Sequence, residues 1–221
     1  MVTTGRALAA LLLVLAPLAG CGTAPAESPV PDLSRLRVVA VVDDVGGYDR
    51  ACSRGHSCSF GAPWTDDVSV AGGKNGCGGR DDTLRRDLQN VTLKPGTHGC
   101  VVTAGELHDP YTGRVVEYRR GSTPQLIEVD HIFGLHAIWN RGAASWPQAR
   151  RTNVANDPRN LLTTTSSVNE SKSDRTPQDW QPPARAGWCT YARRFYDVAL
   201  AYNLAVTAAD VQSLKTMLRT C

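Results

Sequence analysis

The sequence predicts an α+β fold: one disulfide-stabilised domain with helices at its C-terminal end. Three observations carry that expectation. Short β-branched and apolar runs of strand length recur before residue 166, two longer stretches after residue 187 read as helices, and the 221-residue chain holds seven cysteines, six of which lie downstream of an apolar leader.

In chain order, residues 1–21 read as a lipoprotein signal peptide. Arg6 is its only charge, Ala7–Leu18 is apolar, and Leu18-Ala19-Gly20-Cys21 closes it. The apolar run is shorter than the roughly 20 residues of a spanning helix. The ending is similar to a bacterial lipobox, which implies that Cys21 is lipidated; an ordinary secretory signal is the alternative. Residues 22–35 begin with a Pro-, Ala- and Ser-rich stretch without apolar periodicity, the pattern of an extended tether. Residues 36–221 remain, about 190 residues and enough for one domain with a real core.

Leu36–Val42 is a β-branched run and predicts a strand, and residues 43–79 are rich in Gly, Asp and Ser and predict a loop held by cysteines. Leu84 and Leu88, four apart, predict a short helix over Arg80–Asn90. Cys100–Ala104 and Arg114–Tyr118 read as strands around the turn string Asp109-Pro110-Tyr111-Thr112-Gly113. Leu126–Val129 is a further strand, delivering Asp130-His131 at its end. Helical pieces follow at Leu135–Asn140 and Trp146–Val154, then a returning strand over Asn160–Thr165 and a short helix over Ser167–Lys172. Trp188–Leu204 and Ala208–Leu218 read as the C-terminal helices, the second with Thr207 as N-cap.

With Cys21 assigned to the leader, the remaining six cysteines can pair completely, as suits an exported chain. Neighbours in sequence are the favoured pairs: Cys52–Cys58, Cys77–Cys100 and Cys189–Cys221. A zinc site is disfavoured because the chain has no C-x-x-C pair and no histidine at ligand spacing from these cysteines. Loss of Arg6 with the leader reduces 24 basic residues to 23 against 21 acidic ones, a balance too even to argue for nucleic acid by itself. The arginines are nevertheless clustered, at Arg80, Arg85 and Arg86, at Arg119 and Arg120, and at Arg150 and Arg151. Paired arginines are most often simply solvated, so a basic face is a supporting expectation only.

The chemistry-bearing residues lie between 126 and 174, in the order Asp130, His131, Asn160, Asn169, Lys172. Phosphodiester hydrolysis needs an activated water, neutralisation of charge at phosphorus and help for the departing oxygen. Histidine suits the base role near neutral pH. A divalent cation can neutralise non-bridging and leaving oxygens at once. Carboxylate and carboxamide oxygens suit a hard ion such as Mg2+. Neighbouring residues of a regular strand point to opposite faces, so Asp130 and His131 can share a site only at a strand end or bulge. Alone, each residue has a plainer reading: a buried Asp-His pair, a structural Asn160, and Asn169 as a helix cap.

The ordered set resembles the HNH, or ββα-metal, nucleases. The strings D-H-I-F-G-L-H-A-I-W, W-P-Q-A-R-R-T-N-V-A-N-D-P-R-N-L-L, N-E-S-K-S-D and D-W-Q-P-P extend the likeness to the C-terminal domain of GmrSD-type restriction enzymes. Residues 36–221 as a whole resemble secreted actinobacterial proteins carrying that domain, through G-Y-D-R at 47–50, W-T-D-D at 64–67, N-G-C at 75–77, R-D-D-T-L-R-R-D-L at 80–88 and D-P-Y-T-G at 109–113. The resemblance implies a ββα-metal unit over 126–174, with Asp130 and Asn169 as metal ligands, His131 as general base and Asn160 orienting the loop. Lys172, Arg80 and Arg86 are the expected phosphate contacts, and His136, five residues after His131, is a candidate to brace a site residue or touch phosphate, its plain alternative being a helix position. Trp139, Trp146, Trp180 and Trp188 are expected in the core.

The function expected is a metal-dependent endonuclease, using Mg2+ or a similar ion. It would cut nucleic acid, with DNA favoured and little sequence preference, outside the cytoplasmic membrane, as a lipid-anchored and monomeric protein. Two other classes stay open: a non-catalytic surface lipoprotein or envelope binding module on the same scaffold, and a wall-acting hydrolase using Glu128 or Asp130 as acid. The hydrolase would need a second carboxylate at suitable separation.

Overall fold

The computed structural model describes residues 1–2 and 30–221. Residues 3–21 of the expected leader, Cys21 among them, and residues 22–29 of the expected tether lie outside the described residues. The end of that tether is structured: Leu33–Arg35 forms a 3-10 turn capped by the Asp32 carboxylate, and Leu33 packs on the main core.

The fold is mixed α and β. In order come β1 (Arg37–Val39), α1 (Gly79–Asp87), β2 (Leu88–Leu93), β3 (Val102–His108), β4 (Val115–Arg119), β5 (Ile127–His131), α2 (Leu135–Asn140), α3 (Gln148–Asn156), β6 (Leu161–Thr165), α4 (Ser166–Lys172), α5 (Trp188–Tyr202), β7 (Ala205–Thr207) and α6 (Ala208–Leu218). Strands β2, β3 and β4 form an antiparallel sheet, β5 pairs antiparallel with β6, and β1 pairs parallel with β7.

Several expected boundaries move. The first strand shrinks from Leu36–Val42 to three residues, because its partner among the described residues, β7, is itself three residues long. The helix expected over Arg80–Asn90 stops at Asp87, and Leu88 turns extended at φ −91°, ψ 147° to open β2. Leu84 and Leu88 still share one apolar cluster, one reaching it from a helix and the other from a strand. Their four-residue spacing therefore marked a common destination and not one continuous helix. Strand β7 follows Asn203, whose left-handed backbone (φ 53°) ends α5. Thr207 then caps α6 in a capping box with Asp210.

Two apolar clusters organise the molecule. The larger gathers Ile132, Phe133, Ile138, Trp139, Phe195, Val198, Leu214 and Met217 beneath α2, α3, α5 and α6, with Phe133 stacked on Phe195 at 4.3 Å between ring centroids. The smaller holds Leu84, Leu88, Val102, Leu107, Tyr118, Ile127, Val129 and Leu161 between α1, the three-stranded sheet and the β5–β6 pair. Strand alternation therefore sends Ile127 and Val129 to the smaller cluster and leaves Glu128 and Asp130 facing α4. Of the expected core tryptophans, Trp139 is buried and the other three pack partly buried against the larger cluster.

The disulfides join Cys52 to Cys58, Cys77 to Cys100 and Cys189 to Cys221. The second ties the chain before α1 to the chain before β3, and the third ties α5 to the C-terminus. The clustered arginines serve mainly as cross-links. Arg85 donates to the Gly99 carbonyl, Arg120 to Val102 and the Asp81 carboxylate, Arg150 to Tyr202, and Arg151 to Ser59 and Trp146. A basic face is thus not what these pairs build. Among the described residues no helix is long and apolar enough to cross a membrane.

Candidate functional site

Strand β5 ends at His131, and the amide of the next residue, Ile132, still donates to the Asn160 carbonyl at 2.8 Å. Asn160 is completely buried. Its Oδ1 accepts from the Phe133 amide at 2.8 Å, and its Nδ2 donates to the Phe133 and Val154 carbonyls at 3.3 and 3.2 Å. One carboxamide therefore joins the chain leaving β5 to the end of α3, a task no apolar side chain performs in a dry interior.

His131 is 9% exposed, and its ring stacks on Trp64 at 5.6 Å with 13° between planes. Trp64 adopts φ 58°, a left-handed backbone uncommon for a bulky residue, in placing its indole there. The His131 Nε2 lies 2.9 Å from the Ala155 carbonyl. A carbonyl only accepts, so Nε2 carries the proton and Nδ1 keeps the lone pair. Burial, then the positive charge of Arg50, pushes the imidazole pKa down to about 3, with the Ala155 carbonyl opposing. The ring is neutral across the physiological range.

Asp130 is 2% exposed and faces α4. Its Oδ1 accepts from Lys172 Nζ at 2.8 Å and its Oδ2 from the Tyr111 hydroxyl at 3.0 Å. Lys172 is wholly buried, and its ammonium also donates to the His131 carbonyl at 2.8 Å. Tyr111 reaches this position because the loop after β3 is held down by Asp109, whose carboxylate accepts from the Tyr111 amide and from the hydroxyls of Thr112, Thr164 and Thr165. One helical turn before Lys172, Asn169 donates from Nδ2 to Glu128 Oε2 at 2.6 Å. The α4 face thus meets the β5 face in two rungs, Asn169 on Glu128 and Lys172 on Asp130.

Asp130, His131, Asn169 and His136 line one polar cleft of about 430 Å³, with Tyr48, Arg50, Glu170 and Asp174 completing its walls. A second recess of about 260 Å³ meets it at His131 and Arg50 and is walled by Phe60, Trp64 and Asn156. The structure therefore brings together Asp130, His131 and Asn169, with Asn160 directly behind them.

The expected phosphate contacts are placed otherwise. Lys172 is spent on Asp130 and backbone carbonyls. Arg86 pairs with the Asp87 carboxylate and donates to the Pro158 and Leu161 carbonyls, a link between α1 and the start of β6. Arg80 sits in the first turn of α1 and lines neither recess. Three contributors escaped the sequence reading: Tyr111, Trp64 and Arg50. Each belongs to a quoted string (D-P-Y-T-G, W-T-D-D, G-Y-D-R), and an aromatic or cationic residue inside a turn string was the available signal.

Among the described residues no group of three or more His, Cys, Asp or Glu side chains is placed to hold a metal. Mg2+, however, takes only one or two carboxylates and keeps several waters. The Asp130 carboxylate has about four acceptor positions, of which Lys172 and Tyr111 occupy two, and Asn169, whose Nδ2 is engaged by Glu128, lines the same cleft with a carboxamide oxygen in its donor inventory. The residues fit a hard, water-rich cation.

A family model described as "GmrSD restriction endonucleases, C-terminal domain" matches residues 78–216. A protein of Arthroderma benhamiae described as "Uncharacterized secreted protein" is 37% identical over 147 residues, spanning 66% of this chain and 68% of its own. That relative is fungal, so the likeness extends beyond the bacterial proteins the sequence strings pointed to. No solved structure matches.

Proposed function

Because the chain belongs to the GmrSD restriction endonuclease C-terminal domain family, we propose that it is a metal-dependent endonuclease of the HNH type. It hydrolyses phosphodiester bonds of nucleic acid, with DNA favoured and little sequence preference. The observation that carries this reading is His131: a neutral imidazole whose tautomer is set by the Ala155 carbonyl, on the wall of the cleft that Asp130 and Asn169 also line.

His131 Nδ1 takes the proton of the attacking water. The flat contact with Trp64 and the Nε2–Ala155 bond fix the ring, so little reorientation accompanies the transfer. Asn160 holds the backbone beyond His131, and Lys172 and Tyr111 hold the Asp130 carboxylate. Asp130 and Asn169 would hold a divalent ion such as Mg2+, which when bound neutralises charge building on the phosphate oxygens. Arg50, on the same wall, adds positive charge for the substrate.

Export is part of the same reading. Residues 1–21 direct it and Cys21 carries a lipid anchor at the outer face of the cytoplasmic membrane. Three disulfides and a relative described as secreted support an oxidising compartment. The Lys172 ammonium and Tyr111 hydroxyl already on Asp130 favour as a second reading a non-catalytic envelope binding module on the same scaffold.

Plasmid cleavage by the purified, disulfide-bonded chain across a series of divalent metals separates the two. Cleavage that chelator abolishes and that His131→Ala removes, with circular dichroism unchanged, is the expected result. Equal cleavage by His131→Ala, or none by the wild type with any metal, would sink the nuclease assignment.

A further inference from the structure

The cleft contains a second histidine that the mechanism above does not use. His136 lies in the first turn of α2, and its Nδ1 is 2.7 Å from Asp174 Oδ2 in the turn after α4. The pairing depends on a close backbone approach. A Cβ at Gly134 would stand 2.8 Å from the Asp174 Cα, so only glycine lets that turn dock against the start of α2. Tyr48 stacks on the His136 ring at 4.8 Å, and Asp44 Oδ1 stands 3.5 Å from Nε2. Asp174 thus pairs with Nδ1, while Nε2 has only longer contacts, Asp44 Oδ1 and Asn140 Nδ2, each at 3.5 Å. With 38% of its side chain exposed, His136 remains open to the cleft that His131 and Asp130 line.

We propose that the His136–Asp174 pair is a second acid–base group of this site, in which His136 Nε2–H protonates the departing oxygen of the cleaved phosphodiester. The proposal deepens the nuclease reading and rests on it. In the step, water oxygen bonds to phosphorus while its proton passes to His131 Nδ1. The bond from phosphorus to the departing oxygen breaks, its electron pair stays on that oxygen, and the oxygen takes the proton from His136 Nε2. The products are a phosphomonoester and an alcohol. Exchange with bulk water then removes the proton from His131 and returns one to His136. Asp174 keeps Nδ1–H bonded throughout and so aims Nε2.

The groups facing His136 are Asp174 from the turn after α4, Asp44 and Tyr48 from the loop before α1, and Asn140 one turn along α2; Arg50, Glu170, Asp130 and His131 stand across the cleft. Burial raises the Tyr48 pKa, so its hydroxyl stays protonated where the acid operates. A general acid at this position is read out on the alkaline side of the rate profile.

The test compares two substrates. DNA leaves as an alkoxide and needs the proton, whereas bis(p-nitrophenyl) phosphate leaves as a stabilised phenolate and does not. His136→Gln is expected to lower kcat on DNA about 100-fold or more while changing turnover of the nitrophenyl diester less than about 3-fold, and to erase the alkaline limb on DNA. Asp174→Asn should give a smaller loss of the same pattern. Equal losses on both substrates would make His136 a structural residue, and no loss on either would remove it from the reaction. If the wild type ignores the nitrophenyl diester, the DNA profile decides: a limb that persists in His136→Gln overturns the proposal. A wild type inactive on DNA as well overturns the nuclease reading, and the proposal with it.

Discussion

Replacing Lys172 with methionine isolates the buried pair beneath the cleft. The ammonium is fully buried, 2.8 Å from Asp130 Oδ1 and 2.8 Å from the His131 carbonyl. Methionine roughly preserves the volume and leaves the carboxylate in a dry interior with only the Tyr111 hydroxyl. Removing one partner of such a pair costs about 3–5 kcal/mol. For a domain of this size each kcal/mol lowers Tm by about 2–4 °C, so Lys172→Met should melt roughly 6–20 °C below the wild type. Adding Asp130→Asn removes the stranded charge, and the double variant should recover about 1–3 kcal/mol relative to the sum of the single losses. The assay is guanidinium unfolding followed by tryptophan fluorescence and circular dichroism, with chelator present. Added Mg2+ should then raise the Tm of Lys172→Met more than that of the wild type, since a cation replaces the lost ammonium at Asp130. A Lys172→Met loss below about 1 kcal/mol would refute the argument, because a buried carboxylate cannot lose its ion pair so cheaply.

Two further outcomes are expected. Asn160→Ala strips three hydrogen bonds from buried backbone groups at Phe133 and Val154; at about 1–3 kcal/mol for each group left unsatisfied, the loss should exceed about 3 kcal/mol. Asn160→Asp should be no better, since it sets a carboxylate oxygen against two carbonyls, and an Asp variant within about 1 kcal/mol of wild type in chemical denaturation would contradict the donor assignment. His131 carries a pH signature: its folded pKa of about 3 lies below the ordinary 6.5, so the unfolded chain binds the proton first. Its contribution is complete above pH 6.5 and declines as pH falls towards 3, at up to about 1.4 kcal/mol per pH unit. Unfolding in chelator from pH 7 to 4 should show this slope flattened in His131→Asn, and an unchanged slope in that variant would place the titration elsewhere.

The order Asp130-His131, Asn160, Asn169 is legible because each residue type has a narrow chemical use and the spacing sets strand, loop, strand and helix between them. The C-terminal helices are legible because Thr207 and the apolar spacing act locally. Strands β2 and β7 were missed for a common reason. Leu88 looked like the next turn of a helix, and Ala205–Thr207 is too short to show a pattern; pairing with another strand extends both, the neighbouring β3 for the one and the distant β1 for the other. The arginine pairs misled in a related way, since composition cannot tell a guanidinium that meets solvent from one that meets a carbonyl.

By itself the sequence determined the mixed fold class, the local elements with strong caps or periodicity, and the inventory of acid, base and amide groups, all of which depend on neighbours in the chain. Tertiary structure alone decided what each group touches. Lys172 turned inward to Asp130 because α4 packs face-on to β5, Arg86 went to the Pro158 and Leu161 carbonyls, and Trp64 came to lie on His131. His136 met Asp174 across 38 residues, through a contact that Gly134 alone leaves room for. The reason is physical: burial and hydrogen-bond partners are set by elements far apart in sequence, and in a dry interior those partners decide whether a charged side chain braces the fold or faces a substrate.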